Sequence, residues 1–467
     1  YQDRQLAPSL GQAPIPGQLY DENDNDIADS NLSVQDYSNG SLWELLGSAA
    51  PVKIATTVSG SQLSAGSDTL QGDIHVTAVN DSEIEAIVLA GSVAASYGGK
   101  LAVAASGAGA SAHNFSYADT RVLVDDSKDD GLVATGDLSL QAIDSSRIDS
   151  LVGAASIAVA IAPASVAIAI GSAVSDNRIG NTVDASLLRS DVTVLGDVLV
   201  SAREQITSAA QTVAVAAAVS GGISASMGGS FSRVEVNTDV RATVDGERDP
   251  GDLTTRASLE VGGDLRIEAD QDISMPTDLL AASAAFGAIA AAASGLKTTN
   301  IATGTVSATL DHAEVLVADA QSVDVVADSD ITGRGETMAV VVSSGLSVGV
   351  SKAITEYDLD VSANLGDHLK VEAGSLAVTS RAHTDLQQIA IAPSGGAIGA
   401  GSARVLTDVA TDAQINMGDD NKIVVQRFAL DADLDLHADS RVFMLSAGGL
   451  AGALGREENR FAGMADI

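Results

Sequence analysis

The sequence has no cysteine among its 467 residues, and it contains only six Phe, six Tyr and one Trp. The absence of cysteine excludes disulfides, thiolate catalysis, and zinc or iron–sulfur sites built on Cys ligands. Hydrophobic residues still make up 45% of the chain, and the mean hydropathy is +0.20, which excludes wholesale disorder. A core must therefore be built from closely packed Ala, Val, Ile and Leu.

Positively charged side chains are also scarce. The chain has 25 Lys and Arg against 62 Asp and Glu, which gives a formal net charge of −37 at pH 7. Such a chain repels polyanionic nucleic acids and anionic lipid surfaces. We therefore expect no nucleic-acid partner, and we expect cations to accompany the protein.

Residues 152–173 form the most apolar stretch, which is long enough for a transmembrane helix. Ile157, Val159 and Ile161 alternate with Ala, however, and the alternation is broken at Pro163. A period of two is typical of strands, so the stretch predicts two strands joined by a turn and no membrane span. No signal peptide is visible and the sequence begins with Tyr1, which indicates a processed or trimmed chain and permits export.

A repeat of about 60 residues organises the chain. Each copy opens with Gly-Asp followed by alternating apolar residues and Ala. The clear copies begin at Gly72, Gly136, Gly196 and Gly263, and weaker ones begin near residues 321, 374 and 432.

Each copy continues with two long strands of small residues joined by a Gly-, Ser- or Pro-containing turn, which is typical of a hairpin. A strand of pattern Val-x-Ala-x-Leu and a last short strand complete the unit, as in residues 306–310 and 315–317. The Ala-rich residues 279–294 would be helical by propensity alone. Their place in the repeat predicts a strand instead.

The alternation of branched residues with Ala gives each long strand one bulky face and one methyl face, and neither favours water. Such strands must be buried between layers or stacked repeats, and a single repeat cannot bury itself. We therefore predict an all-β, elongated β-solenoid-like array of about six ~60-residue repeats rich in Ala/Val/Gly hairpins.

These Gly-Asp starts and Val/Ala-alternating strands resemble the repetitive regions of large bacterial exoproteins, the haemagglutinin-like and adhesin-like surface proteins that form elongated β-solenoids. The resemblance covers residues 70–445 and concerns only the residue pattern of the repeat. No binding motif of that family is found in this sequence. It implies an extracellular or cell-surface location and a fibrous or adhesive role, with neighbouring cells or surface polysaccharide as partners. It carries over no functional residue.

The ends differ from the middle. Residues 1–50 hold three prolines and the only Trp, and they predict an extended N-terminal arm. Residues 51–71 predict the closing strand of an incomplete repeat, residues 72–431 the six-repeat array, and residues 432–467 an incomplete terminal repeat and tail.

Two copies set head to tail could complete a repeat between them and propagate as a fibre. Degenerate caps, or a piece of a larger protein, explain the same pattern, and Trp43 and its neighbours could equally pack on their own subunit. The expected interface residues are Leu42, Trp43, Leu45 and Leu46 of the arm, Val58 and Leu63 of the closing strand, and Leu434 and Leu436 of the terminal repeat.

Acidic clusters make calcium the most plausible ligand, because carboxylate and Asn oxygens are the donors that it prefers. An EF-hand is excluded, since Asp26 stands where that loop needs Gly and Leu32 where it needs Glu. A solvated acidic loop is the competing interpretation. The candidate ligands are Asp21, Asn23, Asp24, Asp26, Asp129, Asp130, Asp419 and Asp420.

Catalytic motifs are missing. The six His residues have no paired spacing, and no Gly-x-Ser-x-Gly elbow with a serving His is present. We therefore expect no enzyme, but a structural extracellular protein that forms a homopolymer. An adhesin segment that binds a surface or carbohydrate is the alternative, and a β-helix enzyme acting on acidic polysaccharide is a weaker one.

Overall fold

A computed structural model describes residues 18–22, 43–48, 51–67, 69–128, 131–247 and 256–466. The described chain is 87% strand and contains no helix. In chain order the strands are β1 (Gln18–Glu22), β2 (Trp43–Ser48), β3 (Val52–Ser59), β4 (Leu63–Ala65), β5 (Ile74–Tyr97), β6 (Leu101–Asp125), β7 (Leu132–Ala134), β8 (Leu138–Ile161), β9 (Ala164–Leu188), β10 (Val192–Val194), β11 (Val198–Ser220), β12 (Ile223–Asp245), β13 (Ala257–Val261), β14 (Leu265–Phe286), β15 (Ile289–Asp311), β16 (Ala313–Val317), β17 (Ser322–Ser343), β18 (Leu346–Leu365), β19 (Lys370–Gly395), β20 (Ile398–Met417), β21 (Lys422–Ala447) and β22 (Leu450–Asp466).

Strands β3 to β22 form two parallel sheets, and β1 pairs with β2 in a separate antiparallel pair. Each coil of the chain places one long strand in the first sheet, reverses sharply, and places a second long strand in the second sheet. After each of the first four coils a short strand, β7, β10, β13 or β16, then returns the chain to the first sheet, and after the fifth and sixth coils the first residues of β19 and β21 take its place. Seven coils stack in this way, with long strands β5–β6, β8–β9, β11–β12, β14–β15, β17–β18, β19–β20 and β21–β22.

The stacking of equivalent strands confirms the predicted all-β solenoid. Val198 of β11, for example, pairs in parallel with Leu138 of β8 on one side and Leu265 of β14 on the other. The Ala-rich residues 279–294 are strands, as predicted from the repeat, and are interrupted only at the reversal between Phe286 and Ile289.

The turns that were expected to close hairpins instead join strands of different sheets. Strand β8 pairs with β5 and β11, and β9 pairs with β6 and β12, so β8 and β9 face each other without forming a ladder. Both edges of each strand are already occupied by the neighbouring coils. No edge remains for hairpin pairing within a coil.

The last repeat begins earlier than predicted. Ser375 pairs with Arg427, an offset of 52 residues, so the start at Gly374 corresponds to Gln426 and not to residue 432. The prediction failed because Gln426 and Arg427 stand where the clear copies have Gly and Asp.

Each coil has two regions that differ in their packing. We call the part around the reversal the tip, and the remainder, which includes the short strand, the base. The tip comprises residues 86–112, 150–175, 212–232, 279–296, 338–351, 389–403 and 442–455.

The interior changes from large to small residues between base and tip. Branched side chains such as Leu138 and Val198 fill the base, whereas Ala160 and Ala216 are buried in the tip. There the two sheets come close enough for the hydroxyl of Ser294 in β15 to donate a hydrogen bond to the main-chain carbonyl of Ala281 in β14, at 3.0 Å. The methyl faces are therefore buried against each other, as the alternation predicted.

The bulky faces of the tip strands point outward. Leu89, Val93 and Ile161 are 70%, 73% and 57% exposed, respectively. This differs from the expectation that neither face of these strands meets solvent. Sheet-to-sheet packing buries only the methyl face, and the stacked coils leave the other face uncovered.

Candidate functional site

The repeated Gly-Asp motif builds a hydrogen-bond ladder along one corner of the solenoid. Oδ1 of Asp73 accepts the main-chain N–H of Asp137 at 3.0 Å. Asp137 accepts the N–H of Asp197 at 2.9 Å, and Asp197 accepts that of Asp264 at 2.9 Å. Asp264 then accepts the N–H of Ser322 at 2.7 Å. Each carboxylate thus connects its coil to the next by a charge-assisted bond.

The glycine of the motif makes room for this carboxylate. A Cβ on Gly136 would lie 1.8 Å from Oδ1 of Asp73, and one on Gly196 would lie 2.1 Å from Oδ1 of Asp137. Both distances are far shorter than any van der Waals contact. Sequence reasoning found the motif but missed its role, although its recurrence once per coil was a usable signal.

A second ladder runs along the corner that follows the second sheet. Oδ1 of Asp311 accepts the N–H of Asp367 at 2.7 Å, and Oδ1 of Asp367 accepts the N–H of Asp419 at 2.6 Å. Asp419, a predicted calcium ligand, therefore takes part in this ladder only through its main-chain N–H. Asp420, also predicted, has a left-handed φ of 56°, and its carboxylate lies 3.7 Å from Nδ1 of His368.

The other predicted calcium ligands are not brought together in the described part of the chain. Asp21 lies in β1, opposite Glu44. The remaining candidates fall outside the described residues: Asn23, Asp24, Asp26, Asp129 and Asp130.

Asp245, Asp311 and His312 form a group that sequence reasoning missed, with one possible ligand atom from each lying within 4.8 Å of the others. Nδ1 of His312 is 2.8 Å from Oδ1 of Asp311 and 4.0 Å from Oδ1 of Asp245. Burial raises the pKa of Asp311, and His312 opposes that shift. The same Oδ1 atom already accepts the amide of the second corner ladder, so a cation would compete with that bond.

Two carboxylic acids lie inside the solenoid, on adjacent strands. Asp144 is completely buried and accepts four hydrogen bonds. The donors are Asn80 at 2.8 Å, Thr120 at 3.0 Å, Ser146 at 2.8 Å and Asn181 at 2.9 Å. A buried carboxylate with four donors is well satisfied, and this network fixes the register of coils one and two.

Glu204 pairs with Asp144 in the ladder of the next coil. Its Oε2 accepts a hydrogen bond from Nε2 of Gln271 at 3.2 Å, whereas its buried Oε1 has no hydrogen-bond partner. Burial raises the pKa of Glu204 to about 8, and the nearby Asp144 adds to that shift. Glu204 is therefore mostly protonated at neutral pH.

A cavity of about 470 Å³ opens at the tip of the first three coils. Its lining includes Tyr97, Ile161, Pro163 and Val219 together with main-chain atoms of Gly221. No carboxylate, imidazole or amine lines it. The buried acids Asp144 and Glu204 do not contribute to it either.

The predicted interface residues fall in three places. Trp43, Leu45 and Leu46 lie in β2. Leu42 falls outside the described residues. The other four are half-buried against the core at the two ends of the solenoid: Val58 in β3, Leu63 in β4, and Leu434 and Leu436 in β21.

Both ends of the described solenoid present strand edges. At one end, β5 pairs only with β8, and β3 covers only Ala118–Asp125 of β6. At the other end, β21 pairs only with β19 and β22 only with β20. Such rows of main-chain N–H and C=O groups are templates for another strand.

The two ends share one register. Followed from coil to coil, residues 450–466 of β22 correspond to residues 105–121 of β6, whereas β3 pairs with residues 118–125 of that strand. If β22 of another copy paired with β6 in this register, it would lie along residues 105–121 of β6. Four of these, residues 118–121, are already paired with β3.

Comparison of the chain with models of protein families, with curated proteins and with solved structures gives no match. Within the described ranges, the structure contains no apolar helix of membrane-spanning length. The geometry of the corners, the interior and the end strands is thus the basis for inferring a function.

Proposed function

We propose that the protein is a non-catalytic, structural component of an extracellular filament, in which copies stack end to end through the strand edges of β5–β6 and β21–β22. The observation that carries the proposal is the shared register of these edges. The resemblance to bacterial exoproteins supports the extracellular location.

The stacked joint would continue the solenoid across two copies. Strands β21 and β22 of one copy would pair with β5 and β6 of the next, and β3 and β4 of the next copy would close that coil. Half-buried residues such as Ile84, Leu434 and Leu436 would then be covered on both sides, as their counterparts in the central coils are.

Main-chain hydrogen bonds would supply most of the joint, as they do in recognition by strand addition. Each bond contributes only about 1 kcal/mol net, but a joint along two long strands contains many. The partial strand β3 limits the allowed register, because a copy displaced by several residues along β6 would clash with it.

The test compares the chain with a variant whose end strand resists stacking. Leu434→Lys with Leu436→Lys places two charges on the inner face of β21, where a stacked copy would bury them. His437→Lys, on the exposed outer face of the same strand, is the matched control. The three proteins would be examined by sedimentation velocity and negative-stain microscopy over a range of concentrations.

We expect rods from the natural chain and from His437→Lys, and no rods, with unchanged circular dichroism, from the double Lys variant. A natural chain that stays monomeric at all concentrations would show that the edges do not join separate copies. Rods of normal length from the double variant would place the joint elsewhere.

The arm is the remaining part of the proposal. We propose that Leu42, Trp43, Leu45 and Leu46 reach across the joint and anchor the next copy, since a buried Trp contributes a large contact area. Deleting residues 1–50 should then shorten the rods while the solenoid stays folded. Rods of normal length from the truncated chain would assign these residues to their own subunit.

A further inference from the structure

The tip is almost free of charge although the chain as a whole carries −37. Lys100 is the only charged residue in the seven tip segments, which comprise 135 of the 467 residues. All 62 acidic residues therefore lie outside the tip. Charge and apolar surface are separated along the strand direction.

The outer face of the second sheet carries large apolar side chains throughout the tip. The exposed ones are Leu101, Val103, Ile168, Ile170, Ile223, Met227, Phe231, Ile289, Leu346, Val350, Ile398, Leu450 and Leu454. With coils about 4.8 Å apart and about 3.3 Å per residue, the face measures about 30 Å by 30 Å. That is about 900 Å², beyond the largest apolar patch of a typical monomer, about 300–600 Å².

We propose that this face of the tip binds the same face of a second copy, so that two solenoids associate side by side. The area supports this occupant, because pairing two such faces buries about 1,800 Å², within the range of about 1,200–2,000 Å² of stable protein interfaces. The proposal does not depend on end-to-end stacking, since the face spans all seven coils.

The charges determine how the two copies are oriented. If the tips pointed the same way, the two acidic bases would lie side by side, and such juxtaposition of like charges is costly. Tips that point in opposite directions overlap only with each other and keep the bases apart. A twofold axis parallel to the solenoid axis produces this arrangement.

A column of positively charged side chains borders the face at the distance that the partner's tip would reach. Lys297, Lys352, Arg404 and Arg456 are aligned on consecutive coils. They lie six to eight residues from the start of their strands, which corresponds to about 20–26 Å. The partner's reversals would reach this column when the tips overlap fully. Beyond it the acidic base begins.

A lipid surface fits the tip less well than a second copy does. The first sheet borders its own side of the tip with carboxylates, among them Glu85, Asp149, Asp278 and Glu336, of which Asp149 and Glu336 form ion pairs with Arg147 and Arg334. Insertion of the tip would bring these groups against lipid phosphates. The paired arrangement leaves the first sheet free and avoids that repulsion.

The absence of cysteine from the chain permits a direct test by disulfide trapping. Ala293 faces outward halfway between Ile289 and Lys297 in the fourth of seven coils, so near a twofold axis it lies close to its counterpart. Ala293→Cys should give a disulfide-linked dimer on mild oxidation. The matched controls are Ala284→Cys on the outer tip face of the first sheet, and Thr303→Cys on the base of the same strand.

We expect at least ten times more linked dimer from Ala293→Cys than from either control. The fourth coil is remote from both ends, so end-to-end stacking cannot produce this bond. Equal trapping at position 284 would overturn the choice of face, and trapping at position 303 would overturn the orientation of the tips. The absence of trapping at position 293 would overturn the pairing itself.

A second measurement uses Ile168→Lys with Met227→Lys, combined with Leu434→Lys and Leu436→Lys to prevent end stacking. Sedimentation equilibrium should show a dimer for the end-blocked chain and a monomer once the two tip lysines are added. Ile157→Lys with Val219→Lys, on the first sheet, should leave the dimer intact. Binding of the end-blocked monomer to phosphatidylcholine vesicles, without a dimer in solution, would identify lipid as the occupant and refute the proposal.

Discussion

Base and tip are built from the same strands but have opposite radial order. In the base, branched residues such as Leu138 and Val198 are inside, and the charged side chains other than Asp144 and Glu204 are outside. In the tip, Ala and Ser are inside and branched residues are outside. The comparison shows that a period of two fixes which residues share a face but not which face is the interior, because close packing of two sheets favours the smaller residues.

The buried acid of the base should give the largest effect on stability. The pKa of Glu204 is about 8 in the folded protein and 4.5 when exposed. Between these two pH values the folded state holds a proton that the unfolded state releases. The contribution of protonated Glu204 to the free energy of unfolding is therefore complete below about pH 4.5 and is lost as the pH rises to about 8. Glu204→Gln should remove this loss and raise stability at pH 9 by up to about 5 kcal/mol, at about 1.4 kcal/mol per pKa unit.

Urea denaturation at pH 5 and pH 9 measures this effect, with Glu260→Gln as the matched control, because Glu260 is the exposed residue of β13. The control should follow the natural chain at both pH values. Equal pH dependence for Glu204→Gln and the natural chain would show that Glu204 is not buried in its acid form.

The corner ladder of the base should be the next most sensitive feature. Gly196→Ala puts a Cβ 2.1 Å from Oδ1 of Asp137 and should destabilise the protein by about 2–3 kcal/mol through overpacking. Gly107→Ala is the matched control, because a Cβ there meets nothing within 4 Å. Similar melting temperatures for the two variants would argue against a tight corner.

The tip interior gives a comparable or slightly smaller effect. Ala216 is 1% exposed between the two sheets, and Ala216→Leu should cost about 1–3 kcal/mol. Ala217→Leu points outward from the same strand and should be nearly neutral. If the two variants were equally stable, the two sheets of the tip would not be closely packed. The base and the tip would then not differ in the size of the residues that their interiors can hold.

Cations should have the smallest effect. We propose that calcium binds collectively and weakly to the acidic base, because a net charge of −37 opposes compaction unless it is screened. Millimolar calcium at low ionic strength should raise the melting temperature by about 1–3 °C relative to sodium chloride of equal ionic strength. Superimposable melting curves with calcium and with a chelator would show that calcium does not bind to the acidic base.

The solenoid could be predicted from the sequence because its motif recurs in register. Gly-Asp at four starts gave the period, and the clear copies pair as expected. The pairing partner could not be predicted, since a hairpin and a pair of facing strands have the same alternation. The last start was missed because Gln426 and Arg427 replace the motif.

The role of Asp419 could not be predicted either. Asp419 was assigned to calcium because hard oxygen donors cluster near it in sequence. The role that the structure shows is that of the Asp367 carboxylate, which accepts the main-chain N–H of Asp419, 52 residues away, and only the stacking of coils brings the two together. Glu204 lies in phase with Val200, Ala202 and Ile206, so the alternation of its strand was a usable signal that it shares their buried face.

The corner ladders give the molecule a direction. In both of them the carboxylate always belongs to the earlier coil and the amide to the later one, from Asp73 to Ser322 and from Asp311 to Asp419. The two sides of the coils that the ladders join are therefore chemically unequal: one side accepts and the other donates. A filament made by repeating this arrangement would be polar, and subunits would add at different rates at its two ends. Two such filaments lying side by side would make different contacts when they run in the same sense and when they run in opposite senses.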